Sequence, residues 1–493
     1  MTHSDPQLLQ RLNQAKRLGW LFRWHRRIGL LAALPVLLWA LSGLGHPIMT
    51  RLFPSAASMQ APVARAPLSG VSLATIAERH PLTPLQEARL LAIDGAAVWQ
   101  VREAGQIRRR YFSADTQAEL PDADRQYAIQ LARHFTGDRQ SAVQGAELLT
   151  DFNEDYPSVN RLLPVWRIEF DRPDHLRAYI ETGPARLSAL VDDRKALCQS
   201  LFRTIHTWEW AKPLSTARQL TMSVLLLAAA GSVILGLWLY ARQPSRPVKQ
   251  AGRRWHRRLG LLAGLSTLAF TLSGLFHIWR EGQLTTPRLP HTAIAAEALH
   301  LTPAQLAFGA SLLSYKSQPV WRLAAGKPPT ADEHAHHGGH AAPKPASAHY
   351  LDAGNGQPVA DVEAALATDL ARQYLGDTNA PVKDLVSLHQ FGGDYGFINK
   401  RLPVVKVTFA TKNQTSIFIE PATGALAARV EPIDRLEGYS FGWLHKAHWL
   451  DGLGKDGRDG ILAIFALLNA VLIGLGVWQW QRNAIRKQNV NGA

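Results

Sequence analysis

The sequence predicts an α-helical membrane protein with four transmembrane helices and two α+β extracytoplasmic domains, arranged as a tandem repeat. Three observations support this fold class. The 493-residue chain contains four long apolar stretches, basic clusters beside those stretches, and a set of residues that recurs at a fixed offset. About 20 consecutive apolar residues are enough to cross the hydrocarbon layer of a bilayer as a helix.

Four apolar stretches, residues 28–47, 220–240, 259–279 and 461–480, contain no acidic or basic residue apart from histidine. The first is too long for a cleavable signal peptide and lacks a small-residue cleavage site. We therefore predict that the chain crosses the membrane four times. The predicted transmembrane helices are residues 28–47, 216–241, 258–280 and 458–481.

The net charge of +15 is concentrated beside the predicted spans. Basic residues next to membrane helices are typical of the cytoplasmic side, and this placement argues against nucleic-acid binding. Both termini and one short link are therefore predicted to be cytoplasmic, and the chain is expected in a bacterial inner membrane. The cytoplasmic segments are 1–27, 242–257 and 482–493, and the periplasmic segments are 48–215 and 281–457.

The first and third spans begin with nearly the same residues, WHRRIGLLA from Trp24 and WHRRLGLLA from Trp255. They end alike as well, with LSGLGH and LSGLFH. The duplication continues outside the helices, because the residues between 155 and 210 that recur in the second half all do so 239 positions later. Two parallel halves imply a pseudo-two-fold axis along the membrane normal.

The two periplasmic segments are predicted to be mixed α/β. Residues 165–170 and 404–409 alternate apolar and polar side chains, as half-buried strands do. We expect a second strand after each of them and an earlier hairpin before each. The expected strands are 176–181, 415–420, 98–102, 109–112, 320–323 and 349–351, and the expected helices are 122–136 and 362–375.

The strand sequences RLPVVKVTF (401–409) and SIFIEPATGAL (416–426) resemble the PepSY domain. The flanking W-H-R-R and L-S-G-x-x-H helices resemble the PepSY-associated transmembrane family, which includes FoxB-type inner-membrane ferrisiderophore reductases. The resemblance extends from about residue 19 to residue 482. It implies two PepSY-like domains, one haem near each membrane face, and a ferric siderophore as electron acceptor.

Six histidines lie at or near the ends of the predicted spans and form three repeat-related pairs. Two imidazoles at the same depth on facing helices are the usual ligands of non-covalent haem in a helix bundle. The single cysteine, Cys198, excludes a C-x-x-C-H motif for covalent haem, so haem b is expected. The alternative is that the histidines are interfacial. The pairs are His25 with His256, His46 with His277, and His206 with His445.

Depth divides these histidines between the two membrane faces. In each duplicated helix the two histidines are 21 residues apart, a rise of about 31 Å. His25 and His256 are therefore expected to share a haem near the cytoplasm. The other four would bind two haems, or bind one while the second pair lines its edge or the substrate entrance. The sequence thus leaves two or three haems open.

A histidine-rich stretch, ADEHAHHGGH at residues 331–340, lies in a 17-residue insertion that the first half lacks. Histidine clusters favour zinc, copper or nickel. A loop without a specific ion is the alternative. The predicted metal ligands are His334, His336, His337 and His340.

Together these features predict an oxidoreductase that passes electrons to a periplasmic Fe(III) complex, expected to be a siderophore. No G-x-G-x-x-G motif follows a predicted strand, so the electron donor is expected to be quinol or a separate cytoplasmic reductase. A haem-free PepSY accessory protein and an iron or siderophore permease are the alternatives. The duplicated histidines favour redox chemistry, and the absence of charges within the spans argues against a permease. No catalytic side chain is predicted.

Overall fold

The computed structural model describes residues 6–63, 65–242, 250–281, 293–324 and 348–491. The chain divides into two compact units. The helical unit comprises Met1–Leu52, Leu197–Leu284 and Ile433–Ala493. The α+β unit comprises Phe53–Ala196 and Thr285–Pro432.

The order of elements repeats along the chain. The first half contains α1 (Pro6–Leu52), α2 (Leu73–Arg79), β1 (Leu85–Ile93), β2 (Ala96–Glu103), β3 (Arg110–Ser113), α3 (Ala123–Thr136), β4 (Val143–Leu149), β5 (Val165–Phe170), β6 (Arg177–Glu181), β7 (Arg186–Val191), α4 (Asp193–Phe202) and α5 (Ser215–Arg242). The second half contains α6 (Ala251–Glu281), β8 (Ser311–Tyr315), β9 (Gln318–Leu323), β10 (His349–Asp352), α7 (Val362–Leu375), β11 (Val382–Leu388), β12 (Val404–Phe409), β13 (Ser416–Glu420), β14 (Ala425–Val430), α8 (Pro432–Ser440) and α9 (Gly454–Asn491). Short 3₁₀ turns at Ala296–Ala298 and Pro303–Gln305 stand where the first half has α2.

In the described part of the chain, four helices are long and apolar enough to cross a membrane, as the sequence predicts. They are longer than the predicted spans, and α1 already begins at Pro6. The difference arises because apolar composition identifies only the part of a helix that can lie in the lipid bilayer, and not the whole helix. The lysines and arginines before the first span are good helix formers and continue the same helix.

Helices α1, α5, α6 and α9 pack as a four-helix bundle. Each of the two helices that carry the duplicated motif, α1 and α6, packs along both α5 and α9. Helices α1 and α6 therefore occupy diagonal positions. Side chains at equivalent places on them face each other across the interior of the bundle, which is the arrangement from which cofactor sites in helix bundles are built.

The described strands of the α+β unit form three antiparallel sheets, and each predicted strand overlaps one of their strands, with starts that differ by one residue at 109, 176 and 415. Sheets β4-β5-β6-β7 and β11-β12-β13-β14 each belong to one half and pack against α3 and α7, respectively. The third sheet, of order β10-β9-β8-β1-β2-β3, takes three strands from each half. The halves join where β1 pairs with β8, at Arg89 and Ser311. The repeat pattern alone does not predict this shared sheet.

Side chains from both halves form one core beneath the shared sheet. Trp99 and Trp321 are completely buried, and their ring centroids lie 5.5 Å apart. Equivalent polar residues also cross between the halves. Lys400 donates from Nζ to the side-chain oxygen of Asn160 at 2.7 Å, and Arg161 donates to the side chain of Asn399. The α+β unit is therefore one body built from both repeats.

Among the described residues of this unit, the most buried charged residue is Glu420, which is 2% exposed. It accepts hydrogen bonds from Arg186 of the first half and, at 2.6 Å, from Arg401 of the second. Burial alone would raise the pKa of Glu420, but the two guanidinium groups lower it to about 2. Glu181, the repeat equivalent of Glu420, lies 3.3 Å from Arg186 and completes the cluster.

We expect Glu420→Gln to destabilise the α+β unit by about 3 kcal/mol, because it leaves two buried arginines without their main counter-charge. Hydrogen exchange of the β13 amides would measure the loss. The control Glu147→Gln removes a carboxylate that is 62% exposed and 3.5 Å from Arg167, and should cost less than about 1 kcal/mol. Equal effects of the two variants would contradict a structural role for the cluster.

The same cluster predicts a pH dependence. The folded-state pKa of Glu420 lies below its ordinary value of 4.5. Its stabilising contribution is therefore complete above about pH 4.5 and is lost as the pH falls toward 2. The difference in protection between the parent protein and Glu420→Gln should shrink over that interval. A difference that stays constant down to pH 2 would contradict this assignment.

Candidate functional site

An inner histidine pair joins the two duplicated helices. His25 of α1 and His256 of α6 face each other with ring centroids 6.4 Å apart and ring planes at 63°. Both are the histidine of a W-H-R-R motif, so the repeat places them at equivalent depths on diagonal helices. The pairing that the sequence predicts for these two residues is present.

Glycines let the neighbouring helices approach the inner pair. A Cβ atom on Gly236 of α5 would lie 3.1 Å from Cε1 of His25, and one on Gly476 of α9 would lie 3.4 Å from Cε1 of His256. The Nδ1 atom of His25 lies 2.9 Å from the carbonyl oxygen of Ser232. The buried imidazole of His256 interacts with the backbone of Leu472, which stands at the position in α9 equivalent to Ser232 in α5.

An outer pair is formed by His206 and His445, whose ring centroids lie 6.3 Å apart with ring planes at 89°. Each histidine lies in a π-helical turn, Arg203–Thr207 after α4 and Phe441–His445 after α8. Such turns insert an extra residue into a helix and often occur at functional sites. The sequence predicts the two histidines but not the turns that bring them together.

Hydroxyl groups contact the outer pair from the duplicated helices. Ser42 Oγ on α1 lies 2.9 Å from Nδ1 of His206, and Ser273 Oγ on α6 lies 3.2 Å from Nδ1 of His445. These are the serines of the two L-S-G motifs. In both halves, therefore, a serine of a long helix contacts the histidine of a π-helical turn.

His46 and His277, the third predicted pair, flank the outer pair through phenylalanines. The ring centroids of His46 and Phe202 are 5.4 Å apart, and Phe202 stacks on His206 at 4.5 Å. His277 stacks on Phe441 at 4.3 Å, and Phe441 stacks on His445 at 4.6 Å. The four outer histidines thus divide into a central pair and two flanking residues. This geometry favours one outer cofactor site over two.

The flanking histidines have different surroundings. Nδ1 of His277 lies 2.7 Å from Oε1 of Glu437. The residue at the equivalent position of the first half is Cys198, a free and half-buried thiol. The acidic partner is therefore specific to the second half. The six rings form a row that runs from His46 through Phe202, His206, His445 and Phe441 to His277. The two ends of this ring row differ in charge, although the rings themselves follow the repeat.

Both central pairs have the separation that axial ligation of one metal requires. A metal–imidazole bond is about 2.0–2.1 Å long and the ring centroid lies about 1.1 Å beyond the bonded nitrogen, so two imidazoles on opposite sides of one ion have centroids about 6.3 Å apart. The observed separations are 6.4 and 6.3 Å. Together with the glycines beside the inner rings, this spacing fits haem.

The two sites lie toward opposite ends of the bundle. Ser42 follows His25 by 17 residues on α1, which corresponds to a rise of about 25 Å. Because Ser42 contacts His206, the outer pair is separated from the inner pair by roughly the thickness of a bilayer. The placement of one haem near each membrane face stays a prediction.

Other predicted features have mixed outcomes. The proposed metal ligands His334, His336, His337 and His340 lie outside the described residues. Within the described ranges, no group of three or more histidine, cysteine or acidic side chains is arranged to hold a metal ion. Arg27 and Arg258, the equivalent arginines of the two W-H-R-R motifs, lie 5.8 Å over the rings of Trp24 and Trp255.

Four contacts of the site were not predicted: those of Ser42, Ser273, Gly236 and Gly476. Each has a signal in the sequence. The serines belong to the repeated L-S-G motif, and the glycines appear when α5 and α9 are aligned at an offset of 240. Gly43 and Gly274, which the same motif also contains, have no atom within 4 Å of an added Cβ.

No known protein family matches this chain, and no curated protein shows significant sequence similarity to it. The function must therefore be inferred from the paired histidines and their surroundings.

We expect Gly236→Leu to push α5 away from His25 and to destabilise the bundle by about 1–3 kcal/mol, because an added side chain overpacks this contact. Gly231→Leu is the matched control, since an added Cβ at Gly231 in the same helix has nothing within 4 Å. Thermal unfolding in detergent micelles would compare them. Similar melting temperatures for the two variants would show that Gly236 is not a close contact.

Proposed function

We propose that this protein is a haem b-containing oxidoreductase of the bacterial inner membrane that moves electrons from the cytoplasmic side to periplasmic Fe(III), held in a siderophore or a similar complex. The observation that carries the proposal is the presence of two histidine pairs at ligand spacing, separated along one helix bundle. Two redox sites at opposite ends of a bundle allow electrons to cross the membrane, which is otherwise an insulator.

Each residue of the site has a defined part in this proposal. His25 with His256 would hold the inner haem, and His206 with His445 would hold the outer haem. Haem b supplies reversible one-electron chemistry when bound. Gly236 and Gly476 make room for the inner imidazoles, and the two flanking histidines lie beside the outer pair.

The proposed direction follows from the distribution of charge. Basic clusters in the N-terminal part of α1, around the link between α5 and α6, and at the end of α9 place those helix ends in the cytoplasm by the positive-inside rule. The inner pair is then cytoplasmic, and both termini lie inside. The PepSY-like character of the α+β unit and the FoxB-like helices, inferred from sequence resemblance, support the same orientation.

Ferric iron suits a one-electron donor at the outer site. Siderophores hold Fe(III) through hard oxygen ligands, and one electron converts it to Fe(II), for which such ligands are less suitable. His277, whose side chain is 43% exposed, offers an edge of the ring row that a substrate could reach. The electrons would come from quinol or from a separate reductase in the cytoplasm.

We expect the purified protein to contain two extractable haem b groups with low-spin spectra. Because His25 and His256 form one pair and His206 and His445 another, alanine at either member should remove one haem and leave the other. His46→Ala and His277→Ala serve as controls, since neither residue is in a central pair, and should retain both haems. Pyridine haemochrome analysis would count them. Colourless protein from haem-replete cells would contradict the redox proposal.

Reconstitution would separate a reductase from the two alternative classes. Vesicles that contain the protein and an internal reductant should reduce an external Fe(III) chelate, with Fe(II) trapped outside by ferrozine. A His206→Ala/His445→Ala variant should lose this activity, because the outer pair would be absent. Accumulation of iron inside the vesicles without reduction would indicate a permease. Neither reduction nor transport would favour an accessory protein.

A further inference from the structure

The serine of each L-S-G motif has more neighbours than its single hydroxyl hydrogen can serve. Ser42 Oγ lies 2.9 Å from the carbonyl oxygen of Leu38 and 2.9 Å from Nδ1 of His206. Ser273 Oγ lies 2.6 Å from the carbonyl oxygen of Ala269 and 3.2 Å from Nδ1 of His445. The direction of these hydrogen bonds decides which nitrogen of each imidazole carries its proton.

We propose that Ser42 and Ser273 are positioning residues that hold His206 and His445 in the Nδ1-protonated tautomer, so that Nε2 of each imidazole is free to bind the outer iron. The part of this proposal that concerns iron rests on the proposed function. The part that concerns the tautomer is a property of the protein alone. It can be tested whether or not a cofactor is present.

The argument begins with the carbonyl groups. A carbonyl oxygen can only accept, and a serine hydroxyl has one hydrogen and two lone pairs. When Ser42 donates its hydrogen to the helix carbonyl four residues earlier, its oxygen can only accept from His206. The imidazole must then carry hydrogen on Nδ1. The same reasoning applies to Ser273, the carbonyl of Ala269 and His445.

The tautomer determines whether the histidine can be a ligand. A neutral imidazole has one protonated nitrogen and one nitrogen with a free lone pair. With hydrogen on Nδ1, the lone pair is on Nε2. If the serine instead donated to Nδ1, the hydrogen of the ring would be on Nε2, which then could not bind a metal. The serine–carbonyl bond therefore selects the competent form.

The inner pair shows the same principle with a simpler acceptor. His25 places Nδ1 2.9 Å from the carbonyl oxygen of Ser232, which has no hydrogen to give. Nδ1 of His25 must therefore be the donor, and its Nε2 is free. At the outer pair, a serine hydroxyl contacts Nδ1 of each histidine, and His445 also interacts with the backbone of Phe270.

The serines also connect separate segments of the helical unit. Ser42 links α1 to the π-helical turn of His206, and Ser273 links α6 to the turn of His445. Donation from Nδ1–H to an oxygen acceptor raises the basicity of an imidazole ligand and fixes its orientation. Greater basicity stabilises Fe(III) relative to Fe(II). Loss of the hydroxyl should therefore shift the outer haem to a more positive midpoint potential.

The first test uses haem-free protein labelled with ¹⁵N-histidine. Nitrogen NMR should find His206 and His445 protonated on Nδ1, with assignments from His206→Gln and His445→Gln. Ser42→Ala and Ser273→Ala should each shift the matching histidine toward the other tautomer, and threonine at the same position should restore it. The control Thr271→Val removes a buried hydroxyl of α6 that donates to the carbonyl of Thr267 at 2.8 Å, and should change neither histidine.

The second test uses haem-loaded protein. Each serine-to-alanine variant should shift the outer midpoint potential upward and weaken haem retention at that site by about 10–100-fold. The inner haem and the Thr271→Val protein should be unchanged, and Ser42→Thr and Ser273→Thr should recover parental values.

The two tests separate this proposal from the proposed function. Protonation on Nε2 in the parent protein, or alanine variants with unchanged tautomers, overturns the serine assignment even if the protein binds two haems. Correct tautomers in a protein that takes up no haem leave the assignment of the serines intact but overturn its iron-binding part and the proposed function.

Discussion

The helical unit depends on imidazoles meeting across the interior of a four-helix bundle. Diagonal helices are the partners farthest apart in such a bundle, so a histidine from each can reach the middle only if the remaining two helices lie close beside them. Gly236 and Gly476 meet this condition at the inner pair. At the outer pair the histidines do not come from the long helices. They come from the π-helical turns that follow the shorter helices α4 and α8. Both solutions produce nearly the same ring separation.

Duplication has made the two halves dependent on each other. Each pair takes one histidine from each half, so neither half contains a complete site. The α+β unit shows the same sharing, with three strands from each half in one sheet and arginines of both halves on Glu420. Identical halves would give identical surroundings, yet the equivalent of Glu437 is Cys198. The symmetry is therefore retained at the two central histidine pairs and relaxed beside His277.

Much of the architecture could be predicted from sequence because long apolar runs and alternating strands depend on local periodicity. The four spans, the strands around Val165 and Val404, and the pairing of His25 with His256 followed in this way. The division of the outer histidines could not be predicted, because it depends on π-helical turns, which have no periodic signature. The shared sheet also escaped prediction, since the pairing of β1 with β8 is set by tertiary contacts between residues more than 200 positions apart.

The junction between β1 and β8 bears on how such a chain arose. A single half would carry its three-stranded part of the sheet with one of these strands as an open edge, and an open edge readily pairs with another chain. Leu85 and Ile294 extend the contact beyond Arg89 and Ser311, so the exposed edge would be substantial. A half-length ancestor would have satisfied that edge, and completed each imidazole pair, by associating with a second copy of itself. Fusion of two such copies would then have freed each half to diverge.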